Sequence, residues 1–184
     1  MHRELVERAM AGDHDAFSEL ARVSIGRLYA VARLILRDPH RAEDATQEAL
    51  VVAWRDLSAL RDPDRFDGWL HRLLVRACYR EASRGRRRWT VETEVREWDG
   101  MMPDTTNELA DRDQLERGFR RLAPEQRAVI VLHHYLGLSL DETADVLGVP
   151  HGTARSRLHR AMGALRAALE ADARPTTTNE RRLV

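Results

Sequence analysis

Residues 138–161 read LSLDETADVLGVPHGTARSRLHRA. Ser139 and Glu142 stand at the S-x-x-E spacing of a capping box, which opens a helix. Thr143, Ala144 and Leu147 form the inner stripe of that helix. Gly148 then permits a sharp turn, and Val149 can plug the angle before a second helix begins after Pro150. The apolar positions of the second helix are Ala154, Leu158, Ala161, Leu165 and Leu169, a single buried stripe at helical spacing. At about 100° per residue, Gly152, Ser156, His159 and Arg160 point away from the stripe, while Thr153, Arg155 and Arg157 flank it. Arginine takes guanine edges bidentately, and hydroxyls serve bases or phosphates, so this face suits a major groove. A plain amphipathic hairpin with a solvated arginine face would need neither the capping box nor the glycine turn. The two together favour a helix-turn-helix. The motif predicts DNA binding but not the biological task, because many regulators share it.

The same period extends through most of the chain, and no alternating strand pattern competes with it. A short helix is expected over about 3–11, ending near Gly12. Asp13 can cap a second, carrying Phe17, Leu20, Ala21, Leu28, Val31, Ala32 and Ile35, with room to bend near Gly26. Asp38-Pro39 and Asp62-Pro63 each set a capping carboxylate before a proline at the first helical position. The helices they open should run to about Leu57 and to the arginine cluster near Arg88. Residues 91–111 lack a helical stripe and read as a flexible acidic linker. Helices resume near Arg112, restart at Pro124 and finish near Ala171; 173–184 read as a disordered tail. The expectation is an all-α chain of two small helical domains, residues 1–90 and 112–172, the second a helix-turn-helix domain.

Composition narrows the function. The 184 residues include thirty basic and thirty acidic side chains, and every basic one is arginine. The charge is segregated: residues 1–91 and 119–184 each carry a surplus of +3, and residues 92–118 a surplus of -6. Two mildly basic blocks around an acidic connector hint at nucleic acid. Cys78 is the one cysteine, so an internal disulfide and a C-x-x-C metal site are excluded. No run of apolar residues is long enough for a membrane span, which implies a cytoplasmic protein without membrane insertion. No phosphate-cradling loop, close-spaced ligand set or nucleophile–base pair is visible. The chain reads as a non-enzyme with no metal and no cofactor.

The first block carries a second motif, AEDATQEA at residues 42–49. Ala42, Ala45, Ala49, Val52 and Ala53 form a packed stripe, and Asp44, Gln47 and Glu48 share another face. Such a face is either solvated or a docking surface for a basic partner. Downstream, RFDGWLHRLLVRACYREASRGRRR at 65–88 interleaves eight arginines with Phe66, Trp69 and Tyr79. A cationic helix with aromatics can hold phosphates and stack unpaired bases; Trp69 and Leu73 equally suit a bundle core, and Arg84 to Arg88 a helix terminus.

These three motifs, in this order and spacing, resemble the extracytoplasmic-function sigma factors of the bacterial sigma-70 family over about residues 10–90 and 112–171. The resemblance implies that the first block is sigma domain two, which docks on core RNA polymerase and opens the minus-ten element. The second is then sigma domain four, which binds the minus-thirty-five element of promoter DNA. Carried over by position, Asp44, Gln47 and Glu48 would face the polymerase clamp. Gly152, Thr153, Arg155, Ser156, His159 and Arg160 would read the upstream element. Phe66, Arg72, Arg76, Arg80, Arg84 and Arg87 would serve minus-ten capture. The family commonly has asparagine where this chain has Arg76, and an acid or amide at Arg80. An anti-sigma factor is a further partner that the resemblance implies. The rival readings are a free-standing helix-turn-helix regulator, which would need no AEDATQEA face, and an enzyme with a helical accessory domain, for which no site is visible.

Overall fold

A computed structural model describes residues 2–89 and 114–173. The expected linker, 91–111, and nearly all of the expected tail lie outside the described residues. Within them every regular element is helical.

Helix α1 (His2–Met10) ends in a turn at Gly12, whose φ of 93° needs a residue without a side chain. Helix α2 (His14–Leu36) starts where Asp13 accepts the backbone N–H groups of Asp15 and Ala16, each at 3.0 Å, and it runs unbroken through Gly26. It stops at Arg37, a non-glycine residue held at φ 61°. Helix α3 (Pro39–Asp56) opens on Asp38, whose carboxylate accepts from Arg41 N at 3.0 Å, with proline at the first helical position. Two short 3₁₀ turns, Leu57–Ala59 and Pro63–Arg65, lead into α4 (Phe66–Trp89).

Ala42, Ala45, Ala49 and Ala53 are wholly buried along one side of α3. Their small side chains let α2 and α4 lie close, so Leu20, Leu28, Ile35, Phe66 and Leu74 fill the space between. Each such large side chain contributes about 1.5–3 kcal/mol on burial. A bulky replacement at Ala45 would wedge the three helices apart.

The second unit comprises α5 (residues 114–120), α6 (Pro124–Ile130, continued by a wider π turn through Val131–Tyr135), α7 (Leu140–Leu147) and α8 (His151–Ala173). Its own core is small: Leu122, Val129, Ile130, Ala161 and Leu165. Gly118 lets α5 lie close against α8: an added Cβ would sit 3.0 Å from Leu165 and 3.1 Å from Leu169.

The two units do not stand apart. Ala128, Val131 and Leu132 of α6 and Val146 of α7 are buried in the same apolar cluster as α2 and α4. Arg37 pairs with Glu116 across the seam, and Arg72 of α4 donates to the Asp145 carbonyl at the end of α7. The physical cause is visible in α6. Residues 128–132 read AVIVL and are apolar on every side, so Val129 and Ile130 can serve one core while Ala128, Val131 and Leu132 serve another.

Candidate nucleic-acid interface

The helix-turn-helix is built as its caps dictate. The Ser139 hydroxyl oxygen accepts from Glu142 N at 3.2 Å, and the Glu142 carboxylate accepts from Ser139 N at 2.8 Å and from the Ser139 hydroxyl at 2.7 Å. These bonds, the Ser139 hydroxyl's foremost, hold the Glu142 carboxyl below the usual range. Gly148 closes α7 at φ 67°, and Val149 N donates to Ala144 O at 3.1 Å. Pro150 O then accepts from Thr153 N at 2.9 Å and Ala154 N at 3.1 Å, starting α8 at a fixed angle.

On α8 the buried stripe is Ala154, Ala161, Leu165 and Ala168, with Leu158 and Leu169 half-buried. Gly152, Arg155, Ser156, His159 and Arg160 are exposed together, and Thr153 is half-buried at the edge. Ser156 donates to Thr153 O at 3.1 Å, and Arg160 Nε to Ser156 O at 3.3 Å, which lays both side chains along the helix surface. No acidic residue interrupts 151–169. This face is cationic, donor-rich and shallow enough to enter a groove. At its foot, His151 Nδ1 is paired with Asp141 of α7, a tie across the turn that local periodicity does not reveal.

The other arginine-bearing helix is organised differently. Phe66, expected among the base-capturing residues, is 2% exposed and belongs to the core. It sits at the start of α4 with its ring 6.1 Å from Trp69, and its burial leaves no face on which to stack an unpaired base. Arg72 is half-buried beneath α7. Arg76 is exposed. Arg80 Nε donates to Glu48 at 3.0 Å, and Arg84 pairs with Glu81 and lies 3.9 Å from Glu48. The Arg87 side chain lies outside the described residues. Tyr79 is half-buried with its hydroxyl facing Arg157 of α8; no hydrogen bond of good geometry forms. Burial pushes the phenol up to about 12 against the opposing pull of Arg157.

On α3, Asp44 and Gln47 are exposed side by side. Glu48 is half-buried and already engaged by Arg80 and Arg84. The three residues therefore share a face, but that face merges with the arginine face of α4. Spacing within one helix could not show this junction, because Glu48 and Arg80 are 32 positions apart.

Known proteins resemble this chain over both units. Residues 20–88 match the model of sigma-70 region 2, and residues 112–165 that of sigma-70 region 4. The ECF RNA polymerase sigma factor SigM of Mycobacterium tuberculosis is 35% identical over 164 residues, covering 88% of this chain and 81% of its own. The RNA polymerase sigma-E factor of Streptomyces avermitilis is 37% identical over 168 residues, covering 90% and 93%. Among solved structures, CnrH in complex with the cytosolic domain of CnrY aligns with a TM-score of 0.66 at 29% identity, covering 94% of this chain and 99% of that one. The sigma factor RpoE of Bartonella quintana, in complex with the anti-sigma factor NepR, aligns at 0.68 and 25% identity, covering 85% and 98%. A helical unit matching sigma-70 region 2, followed by a capped helix-turn-helix matching region 4, is the organisation of one family: the chain belongs to the extracytoplasmic-function RNA polymerase sigma factors of the sigma-70 family, regulators of transcription that recognise promoters.

Proposed function

We propose that the chain joins core RNA polymerase through the exposed edge of α3 at Asp44, Gln47 and Glu48 and directs it to promoters. The outward face of α8, from Gly152 to Arg160, reads the minus-thirty-five element. Arg72, Arg76, Arg80, Arg84 and Arg87 on α4 hold the minus-ten strand. The working units are 1–90 and 112–172, joined through 91–111 and followed by the tail 173–184. The observation that carries this reading is the α8 face, where all the candidate base-reading side chains except Thr153 are exposed while Ala154, Ala161 and Leu165 are buried.

The chain itself performs no reaction; the polymerase supplies the chemistry. Opening duplex costs roughly 1.4 kcal/mol per step, so a small helical unit contributes by holding a few separated bases. Cys78 is not a nucleophile in this account, because burial pushes its thiol up to about 12. The protein works in the cytoplasm, where polymerase and DNA are. Among the described residues, no helix is long and apolar enough to cross a membrane. An anti-sigma protein is a further partner: a cavity of about 460 Å³, lined by Leu34, Phe119, Ile130, Val131, Met162 and Leu165, offers apolar side chains of such a protein a seat between α2 and α8.

The test is co-elution with core polymerase and run-off transcription. Asp44 is exposed, and no hydrogen bond to it is found among the described residues, so Asp44→Arg with Gln47→Arg should abolish co-elution and leave the thermal transition in place. Normal core binding by that folded variant would refute the docking surface.

A further inference from the structure

The cavity of about 460 Å³ between α2 and α8 falls in the size range of small-molecule sites. Leu34, Phe119, Met162 and Leu165 give it apolar walls. Val131, His134 and Tyr135 reach it from the π turn, a rare wide geometry that recurs at functional sites. Leu115 and Tyr135 line it and are exposed, so the cavity is open to solvent on their side.

Its charge comes from the end of α2. Arg37 lines the cavity, and its Nε is buried without a hydrogen-bond partner. Arg127 of α6 is its neighbour: it is only 7% exposed, its Nε is also buried and unpartnered, and Arg37 repels it. A buried guanidinium nitrogen with no acceptor is unfavourable until an acceptor arrives. Arg33 and Arg120 add to the positive field at Arg37. Against them stand Glu116, which lines the cavity and pairs with Arg37 and Arg120, and Glu125, which attracts Arg127. Among the described residues, four guanidinium groups here face two carboxylates, a local surplus of two positive charges in a chain whose net charge is zero.

These two properties select a ligand. An inorganic anion gains nothing from apolar walls, and a neutral hydrocarbon gains nothing from arginines. A carboxylate on an alkyl chain uses both, because the guanidinium fork matches a planar carboxylate and each methylene gains by burial. Glu116 already shows a carboxylate held by Arg37. We propose that this cavity binds a small amphipathic carboxylate, with its head group between Arg37 and Arg127 and its alkyl chain along Leu34, Phe119, Met162 and Leu165. The site depends on these residues alone and not on the sigma-factor reading. Where an anti-sigma protein also seats its apolar side chains here, ligand and protein exclude one another, because both need the same walls.

Calorimetric titration of the full-length chain with decanoate, kept below its micellar concentration, should show a single saturable site. Decanol shares the chain but lacks the charge and should bind about tenfold more weakly. Arg37→Met removes a head-group contact and should lower decanoate affinity by about tenfold while leaving decanol within about twofold. Met162→Trp fills the cavity without touching the charges and should remove binding of both. Circular dichroism reports whether each variant folds; where Arg37→Met does not, Arg127→Met takes its place with the same expected loss. Equal affinity for decanoate and decanol, decanoate binding that survives Met162→Trp, or no saturable binding to the parent chain would overturn the proposal. The titration contains no polymerase, so a chain that binds decanoate as described but fails in run-off transcription would uphold the site and strike down the sigma-factor reading instead.

Discussion

Helices α4 and α8 both present arginines, yet the two faces are in opposite electrostatic states. On α8, Arg155 and Arg160 lie exposed in a stretch free of acids, and no ion pair to either is found among the described residues. On α4, Arg80 and Arg84 are held by Glu48 and Glu81, and Arg72 is spent on a backbone carbonyl of α7. An unpaired cationic face can displace the cations condensed on a phosphate backbone directly, whereas a paired one must first give up its carboxylates. The difference is one of readiness. Under the function proposed above, α8 can meet DNA as folded, whereas α4 must first exchange the partners that Arg72, Arg80 and Arg84 already hold.

The strongest way to break the comparison is to show that the two regions are not one folded body. Leu74 of α4 and Leu132 of α6 are both fully buried in the shared cluster. Either residue changed to alanine should cost about 2–5 kcal/mol, and in urea, followed by tryptophan fluorescence and by far-ultraviolet circular dichroism, one coincident transition should move. If Leu132→Ala shifted only a second, separate transition, the seam would be incidental and the units independent.

Most of the local architecture was legible in the sequence, because caps and turns are local chemistry. Asp13, Asp38, the Ser139–Glu142 box and Gly148 each act within four residues of the backbone they satisfy. The phase of α8 was legible as well, since Ala154, Ala161 and Leu165 fix which side is inward. The seam is not legible there. Spacing gives α7 the stripe Thr143, Ala144 and Leu147, whereas Val146 is buried and Leu147 only half-buried. A short helix with apolar residues on two sides does not declare which neighbour each side serves. The AVIVL run was the available signal, since an all-round apolar segment must be covered on all sides. Phe66 differs for a related reason: beside Arg65 and Asp67 it looks like a surface aromatic, and only packing with residues distant in sequence places it in the core. The pairing of Glu48 with Arg80 depends on how α3 lies against α4, which no intrahelical spacing encodes.

The α8 face can be sharpened residue by residue. Arg160 lies opposite the buried stripe and Arg155 nearer its edge, although both are exposed. Arg160→Ala should cost about 1–3 kcal/mol on the matched upstream element and relax preference at one base position. Arg155→Ala should weaken binding to all sequences alike and reduce the salt slope by about one. Salt titrations on matched and scrambled elements separate the two roles; exchanged outcomes would mean that the helix enters the groove rotated from the orientation its burial implies.

The smallest effect probes the α4 side of the comparison directly. Glu48 is 30% exposed in its side chain and Arg80 46%, so their ion pair is worth only about 0.2–1 kcal/mol in water. Its consequence is nonetheless directional. Glu48→Gln keeps the shape and a hydrogen-bond acceptor but removes the charge that holds Arg80 and draws on Arg84. In the free chain the substitution should raise affinity for non-specific single-stranded DNA by a few-fold and steepen the salt dependence by about one counterion, while core polymerase binding weakens because the docking face loses a carboxylate. The two readouts must move in opposite directions. A parallel loss of both would mean that Glu48 organises α4 for DNA instead of neutralising it, and the melting face would then be as ready in the free chain as α8 is.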